Sequence, residues 1–174
     1  MLYQTSHRKD LTLIRATICE IIQEEQILLQ HKAAGRFGEG KWNGPGGKLK
    51  PDETPLEGVI REVKEETGLT IHDPELLGRI NFFFGEKTEP DWTTYIFLVT
   101  DYTGDLTPNE EGELKWFNIE EIPYHEMWLD DKHWLPHIIQ GKKVKATFWF
   151  DEDGEKILRY SLETKKKKSN YMSS

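Results

Sequence analysis

Residues 47–69 read GKLKPDETPLEGVIREVKEETGL, and they constrain the fold more than any other stretch of the chain. Thr54, Pro55 and Glu57 form a capping box with an early proline, which predicts a helix over residues 55–67. Gly68 suits the left-handed residue that commonly follows a helix. Leu56, Val59, Ile60, Val63 and Thr67 share one helical face, expected to pack on a sheet. Glu62, Glu65 and Glu66 stand at i, i+3 and i+4 and share another face. Carboxylates so placed repel one another, whereas an ordinary solvated helix interleaves positive charge. A divalent cation that prefers hard oxygen ligands, Mg²⁺ or Mn²⁺, would neutralise them. An acidic solvent face is the plainer alternative.

Strands and helices alternate around this segment. Residues 11–22 and 26–32 read as strands about a polar turn, and 35–47 as a glycine-rich loop. Strands are expected at 76–85, 93–100 and 114–119, and a second helix at 125–140. Residues 144–151 and 156–162 bracket Asp-Gly and read as a terminal hairpin. The pattern predicts an α/β (α+β) fold, a mixed central sheet covered by two helices. Its 174 residues suit one domain, expected at 11–163, with 1–10 a polar leader and 164–174 a flexible lysine-rich tail.

Charge and cysteine usage narrow the function. The net charge is −8, so a nucleic-acid polymer would be repelled. A single cysteine, Cys19, excludes an intrachain disulfide framework and a cysteine-based zinc finger, and it fits a reducing compartment. No apolar run reaches 18 residues, so no membrane partner is expected. The first ten residues lack the apolar core of a signal peptide. A cytoplasmic monomer is the expectation.

Gly47, Glu53, Arg61, Glu62, Val63, Glu65, Glu66, Gly68 and Leu69 occupy every fixed position of the pattern GX5EX7REUXEEXGU, with U apolar. A chance match at a given start is on the order of 10⁻⁹ from average residue usage. The chain thus resembles the Nudix hydrolases. That resemblance implies an α/β/α sandwich and metal-dependent hydrolysis of a nucleoside polyphosphate. It implies Glu62, Glu65, Glu66 and the Gly46 carbonyl as metal ligands, with Glu111 joining from a separate loop. Glu110 and Glu113 stand close enough to Glu111 to be mistaken for it. Glu53 and Arg61 would orient the ligands. Metal ions held there would bridge phosphate oxygens while water attacks phosphorus in line.

RFGEGKWNGPGGK at 36–48 and EMWLDDKHWLP at 126–136 are similar to the branch of that family that cleaves oxidised purine nucleoside triphosphates. This implies a base pocket. Asn43 would bond the base edge, Trp128 would stack on it, and Phe37, Phe82 and Phe84 would close around it. Asp130 and Asp131 would share a proton, so that one donates where the other accepts. Thr17, Lys32 and Trp92 complete the implied substrate-binding set. Plainer uses exist: Asn43 as a turn residue, Phe82 and Phe84 as core, the aspartates as an acidic helix start. His133 and His137 read as packing or surface residues. The implied reaction converts a triphosphate of the 8-oxo-dGTP type to the monophosphate and pyrophosphate, a nucleotide-pool sanitation. Alternatives are hydrolysis of ADP-ribose or a dinucleoside polyphosphate, and a non-catalytic nucleotide sensor. The last predicts a missing carboxylate among Glu62, Glu65 and Glu66, and none is missing.

Overall fold

The computed structural model describes residues 12–107 and 109–168. The expected leader and the end of the expected tail, 169–174, lie outside the described residues. The elements in chain order are β1 (Ile14–Gln23), β2 (Gln26–Lys32), β3 (Trp42–Asn43), β4 (Gly46–Lys48), α1 (Pro55–Thr67), β5 (Thr70–His72) and β6 (Glu75–Phe84). They continue with β7 (Trp92–Val99), β8 (Asp101–Thr103), β9 (Gly112–Asn118), α2 (Asp131–Ile139), β10 (Lys143–Phe150) and β11 (Ile157–Lys165).

The main sheet is mixed and runs β11-β10-β6-β7-β1-β2-β3, with β4 on β1 and β9 on β2. β1 lies parallel to β7, and β10 parallel to β6; the other pairs are antiparallel. Alternation along β1 divides the core. Cys19 and Ile21 pack with Val59 and Val63 of α1, and Ile18 and Ile22 pack on the cluster that holds Trp134, Leu135 and Ile138 of α2. A helix therefore covers each face, as expected of an α/β/α sandwich. Each fully buried Val or Ile contributes about 1.5–3 kcal/mol by leaving water.

α1 forms for the expected local reasons. Thr54 Oγ1 accepts from the Glu57 N–H, Glu57 answers to the Thr54 N–H, and Gly68 is left-handed at φ +81°. Its inner face is turned from the expected one. Leu56 and Ile60 are 48% and 38% exposed, while Gly58, Val59, Val63, Glu66 and Thr67 are buried. The inner face includes Glu66 because that carboxylate finds partners under the helix.

Three further expectations need correction. The second helix begins at Asp131, because residues 124–126 form a separate 3-10 turn after Pro123, and the Trp128 N–H is taken by the Asp131 side chain. The glycine-rich loop contains β3 and β4, which pair through backbone and need no side-chain pattern. β11 runs to Lys165, past the expected start of the tail. The small sheet β5–β8 had no sequence signal, each strand being three residues long.

Candidate active site

A cavity of about 430 Å³ opens between β1, β4, β6, β7, the start of α2 and the loop before β3. One end is charged and built from β4 and α1. A Cβ on Gly46 would lie 2.0 Å from the Thr17 carbonyl oxygen, and one on Gly47 would lie 2.7 Å from Glu62 Oε2. Glycine at both positions lets β1 and α1 close on β4 from either side.

Glu66 points inward. Its Oε1 accepts from Lys32 Nζ and its Oε2 from the Gly46 N–H, each at 3.0 Å. Burial pushes its carboxyl above the usual range, opposed by the Lys32 charge and these hydrogen bonds. Lys32 also donates to Gln30 Oε1 at 2.8 Å.

Arg61 fastens the helix to the loop before it. Its Nε and Nη2 grip both oxygens of Glu53 at 2.6 and 2.8 Å, and Nη1 reaches Glu62 at 2.6 Å and Glu65 at 3.2 Å. The Arg61 hydrogen bonds hold the Glu53 carboxyl down to about 2. Glu62 and Glu66 line the cavity; Glu65 stays outside it, its side chain 57% exposed. Glu111 lines it from the loop before β9 and pairs with Arg36 at 3.2 Å. Asn109 ties that loop to α1: its Nδ2 donates to the Glu66 carbonyl, and its Oδ1 accepts from the Glu111 N–H.

Among the described residues no three acidic, His or Cys side chains converge on one point. Lys32 and Arg61 instead neutralise Glu66 and Glu62. The donors nonetheless suit a hard divalent cation. Glu62, Glu66, Glu111 and Gly46 line one cavity and offer oxygen alone, and Gly47 leaves the space beside Glu62 free of a side chain.

The other end is aromatic and acidic. Phe37 stacks between Trp92 and Trp128 at 5.1 and 5.4 Å, although it is 68% exposed. Phe82 and Phe84 line the cavity and also stack on Phe148 and Phe150, so they serve pocket and core together. Thr17 is buried on the cavity wall with no hydrogen-bond partner for Oγ1 among the described residues. Asn43 ends β3, its Oδ1 held by the Gly44 N–H at 2.9 Å.

Asp130 and Asp131 line the cavity at 5% and 2% exposure. Asp130 caps nothing with its side chain; Oδ2 accepts from Trp134 Nε1 at 2.8 Å. Asp131 Oδ2 accepts from the Trp128 N–H at 3.0 Å. Burial lifts Asp130 to about 6, offset by the Trp134 hydrogen bond. Burial, then the charges of Asp130 and Glu20, lift Asp131 well above the usual range.

The NUDIX domain model matches residues 12–138, a span that holds α1, Glu111 and the aspartate pair. The chain belongs to the Nudix hydrolase family. It is 38% identical over 147 residues to the oxidized purine nucleoside triphosphate hydrolase of Mus musculus, covering 84% of this chain and 92% of the relative. It is 32% identical over 155 residues to the Nudix hydrolase YvcI of Bacillus subtilis, covering 87% and 95%. The crystal structure of a MutT protein from Bacillus halodurans superposes with a TM-score of 0.76 at 30% identity, covering 86% of this chain and 97% of that one.

Three residues of this Nudix site were not singled out from sequence. Trp134 stands four after Asp130, a helical spacing that could have located it. Arg36 lies in a loop, and its partner Glu111 is far along the chain, so no local pattern marks it. Asn109 bonds the Glu111 N–H two residues on, a local turn pattern, but its second partner, the Glu66 carbonyl, is distant in sequence.

Proposed function

We propose that this Nudix hydrolase is a Mg²⁺- or Mn²⁺-dependent pyrophosphohydrolase acting on an oxidised purine nucleoside triphosphate of the 8-oxo-dGTP type. It would release the monophosphate and pyrophosphate and so clear the cytoplasmic nucleotide pool as a monomer. One observation carries the reading. A single cavity has carboxylates suited to a cation at one end and two adjacent, buried aspartates among aromatic rings at the other. The mouse relative's name supports the same substrate class.

Glu62, Glu66, Glu111 and the Gly46 carbonyl would hold the cation, with Glu65 as a further ligand if its side chain turns inward. When bound, the cation offsets charge on the phosphate oxygens. The protein's own residues do the rest. Lys32 and Arg36 bring positive charge to the same end. Arg61 keeps Glu53 ionised and holds Glu53 and Glu62 against the loop. Water attacks phosphorus away from the terminal phosphate; the bridging P–O bond breaks, pyrophosphate leaves, and the water's proton passes to a carboxylate. At the other end Trp128 and Phe37 would stack on the purine. A neutral Asp131 donates while an ionised Asp130 accepts, and the Asn43 amide adds a donor. Oxidation at C8 places a proton on N7, so a reader of this kind separates oxidised from normal purine by hydrogen bonding at nearly equal size.

The test is a panel of 8-oxo-dGTP, dGTP, ADP-ribose and diadenosine polyphosphate, scored by kcat/KM with Mg²⁺ and with excess EDTA, products identified in ¹⁸O water. The expected result is preference for 8-oxo-dGTP, release of the monophosphate and pyrophosphate, and no turnover in EDTA. Orthophosphate as first product, full activity in EDTA, or preference for ADP-ribose would overturn it.

A further inference from the structure

Gln30 is a wholly buried amide in an apolar stretch of β2. Leu29 packs toward α2 and Leu28 toward α1, so alternation along the strand aims Gln30 at the α1 side. Its partner on β9, Leu114, packs on that same α1 cluster. An apolar side chain would fill such a place and leave no polar atom stranded. The amide does strand one: Nε2 has no hydrogen-bond partner among the described residues. The Gln30 carbonyl oxygen is the end that is used. It accepts from Lys32 Nζ at 2.8 Å, and because an ammonium only donates, the amide must turn this way round. Gln30 and Lys32 stand at i and i+2 of one strand, so their side chains leave the same face. Lys32 is the last residue of β2, and its four-carbon stem is flexible. Two acceptors hold the ammonium, Gln30 Oε1 and, at 3.0 Å, Glu66 Oε1. They take two of its three hydrogens, which leaves the third for the cavity that Lys32 lines. The acceptors are unlike. Glu66 is a candidate cation ligand, whereas Gln30 is neutral and lies outside the cavity lining, so its hold on Nζ competes with no ligand.

We infer that Gln30 is a positioning residue for the phosphate end of the site: its buried side-chain carbonyl holds Lys32 Nζ in place, so that the ammonium meets the triphosphate already aimed. The inference rests on the proposed reading that Lys32 faces the phosphates, and it deepens that reading. A free lysine side chain would have to be ordered each time the nucleotide binds, and that ordering weakens binding. Gln30 orders it beforehand. Because Gln30 itself does not line the cavity, whatever it does for the nucleotide passes through Lys32.

The experiment is a double-mutant cycle on wild type, Q30L, K32M and the Q30L/K32M double variant. It measures the Kd of the α,β-imido analogue of 8-oxo-dGTP by calorimetry in EDTA. Q30L is expected to bind about threefold to tenfold more weakly, the scale of ordering one long side chain. K32M is expected to bind at least about tenfold more weakly, the scale of a lost hydrogen bond from a charged group. The double variant is expected to match K32M within about twofold, because without the ammonium Gln30 has nothing to aim. With Mg²⁺ and 8-oxo-dGTP, Q30L is expected to raise KM by a similar factor and to keep kcat within about twofold. Should leucine be poorly accommodated, Q30M is nearly the length of the amide and carries the same expectations. If K32M weakens binding and Q30L does not, the role of Gln30 is overturned and the reading of Lys32 stands. The same follows if Q30L weakens binding equally in the presence and absence of Lys32, or lowers kcat with KM unmoved. If K32M binds as wild type does, Lys32 does not meet the phosphates, and that part of the proposed function falls together with this inference.

Discussion

Glu66 and Asp130 are both buried carboxyls, and their partners give them different work. Glu66 is gripped by a cation and a backbone N–H at the charged end, while Asp130 is held by an indole at the aromatic end. Glu66→Gln keeps size and helix propensity and removes the charge. It is expected to lower kcat by ~100-fold or more on oxidised and normal triphosphates alike, the scale of a lost electrostatic contact in the transition state. Asp130→Asn is expected to change the ratio of 8-oxo-dGTP to dGTP kcat/KM by roughly 5- to 150-fold, the equivalent of ~1–3 kcal/mol for one unpaired buried group. The two variants, assayed on both substrates, separate chemistry from reading. A near-normal rate in the first or an unchanged ratio in the second removes that residue from its role.

At the scale of the element, Val59 and Val63 hold α1 to the sheet, and Arg61 holds it to the preceding loop. Leu56 and Ile60 contribute little burial, so the apolar contact is confined to that narrow stripe and the Arg61 grip on Glu53 adds a second anchor. The folded Glu53 carboxyl sits near 2, below its ordinary 4.5. A lowered acid stabilises the fold fully above its unfolded value and loses that contribution as pH falls toward the folded one. The stability advantage of wild type over E53Q is therefore expected to hold from pH 7 down to about 5. It should then shrink steadily toward pH 2. Urea midpoints across that range check it, and a gap that stays constant to pH 3 would contradict the ion-pair account.

For the molecule as a whole, closing the sandwich creates the low-dielectric pocket in which the acids sit. The start of α2, β1 and the loop before β3 together exclude water from Asp130, Asp131 and Glu20. A raised acid has the opposite sign to Glu53. Its contribution is present below the ordinary carboxylate pKa and is lost as pH rises to the folded value. For Asp130 that window runs from 3.8 to about 6. Wild type is expected to lose stability relative to D130N as pH rises across that window and to hold a constant difference beyond it. Parallel melting curves for the two proteins from pH 4 to 7 would show that burial of the pair carries no such cost.

Local chemistry made much of this legible in advance. The capping box, early proline and terminal glycine act within a few residues of one another, so α1 was readable to its ends. The i, i+4 spacing of Arg61 and Glu65 likewise encoded their ion pair, since helix geometry brings such neighbours together. What needed the tertiary structure was every decision made by distant partners. Glu66 and Glu65 are adjacent and chemically alike, yet Glu66 turns inward because Lys32, at the end of β2, meets it there. Leu56 and Ile60 looked like core until the helix settled with Val59 and Val63 beneath it. Glu20 reads as one polar residue in an apolar strand; only packing buries it, behind the missing side chain of Gly44. Burial and charge coupling depend on which segments meet in space, and short-range periodicity does not carry that information.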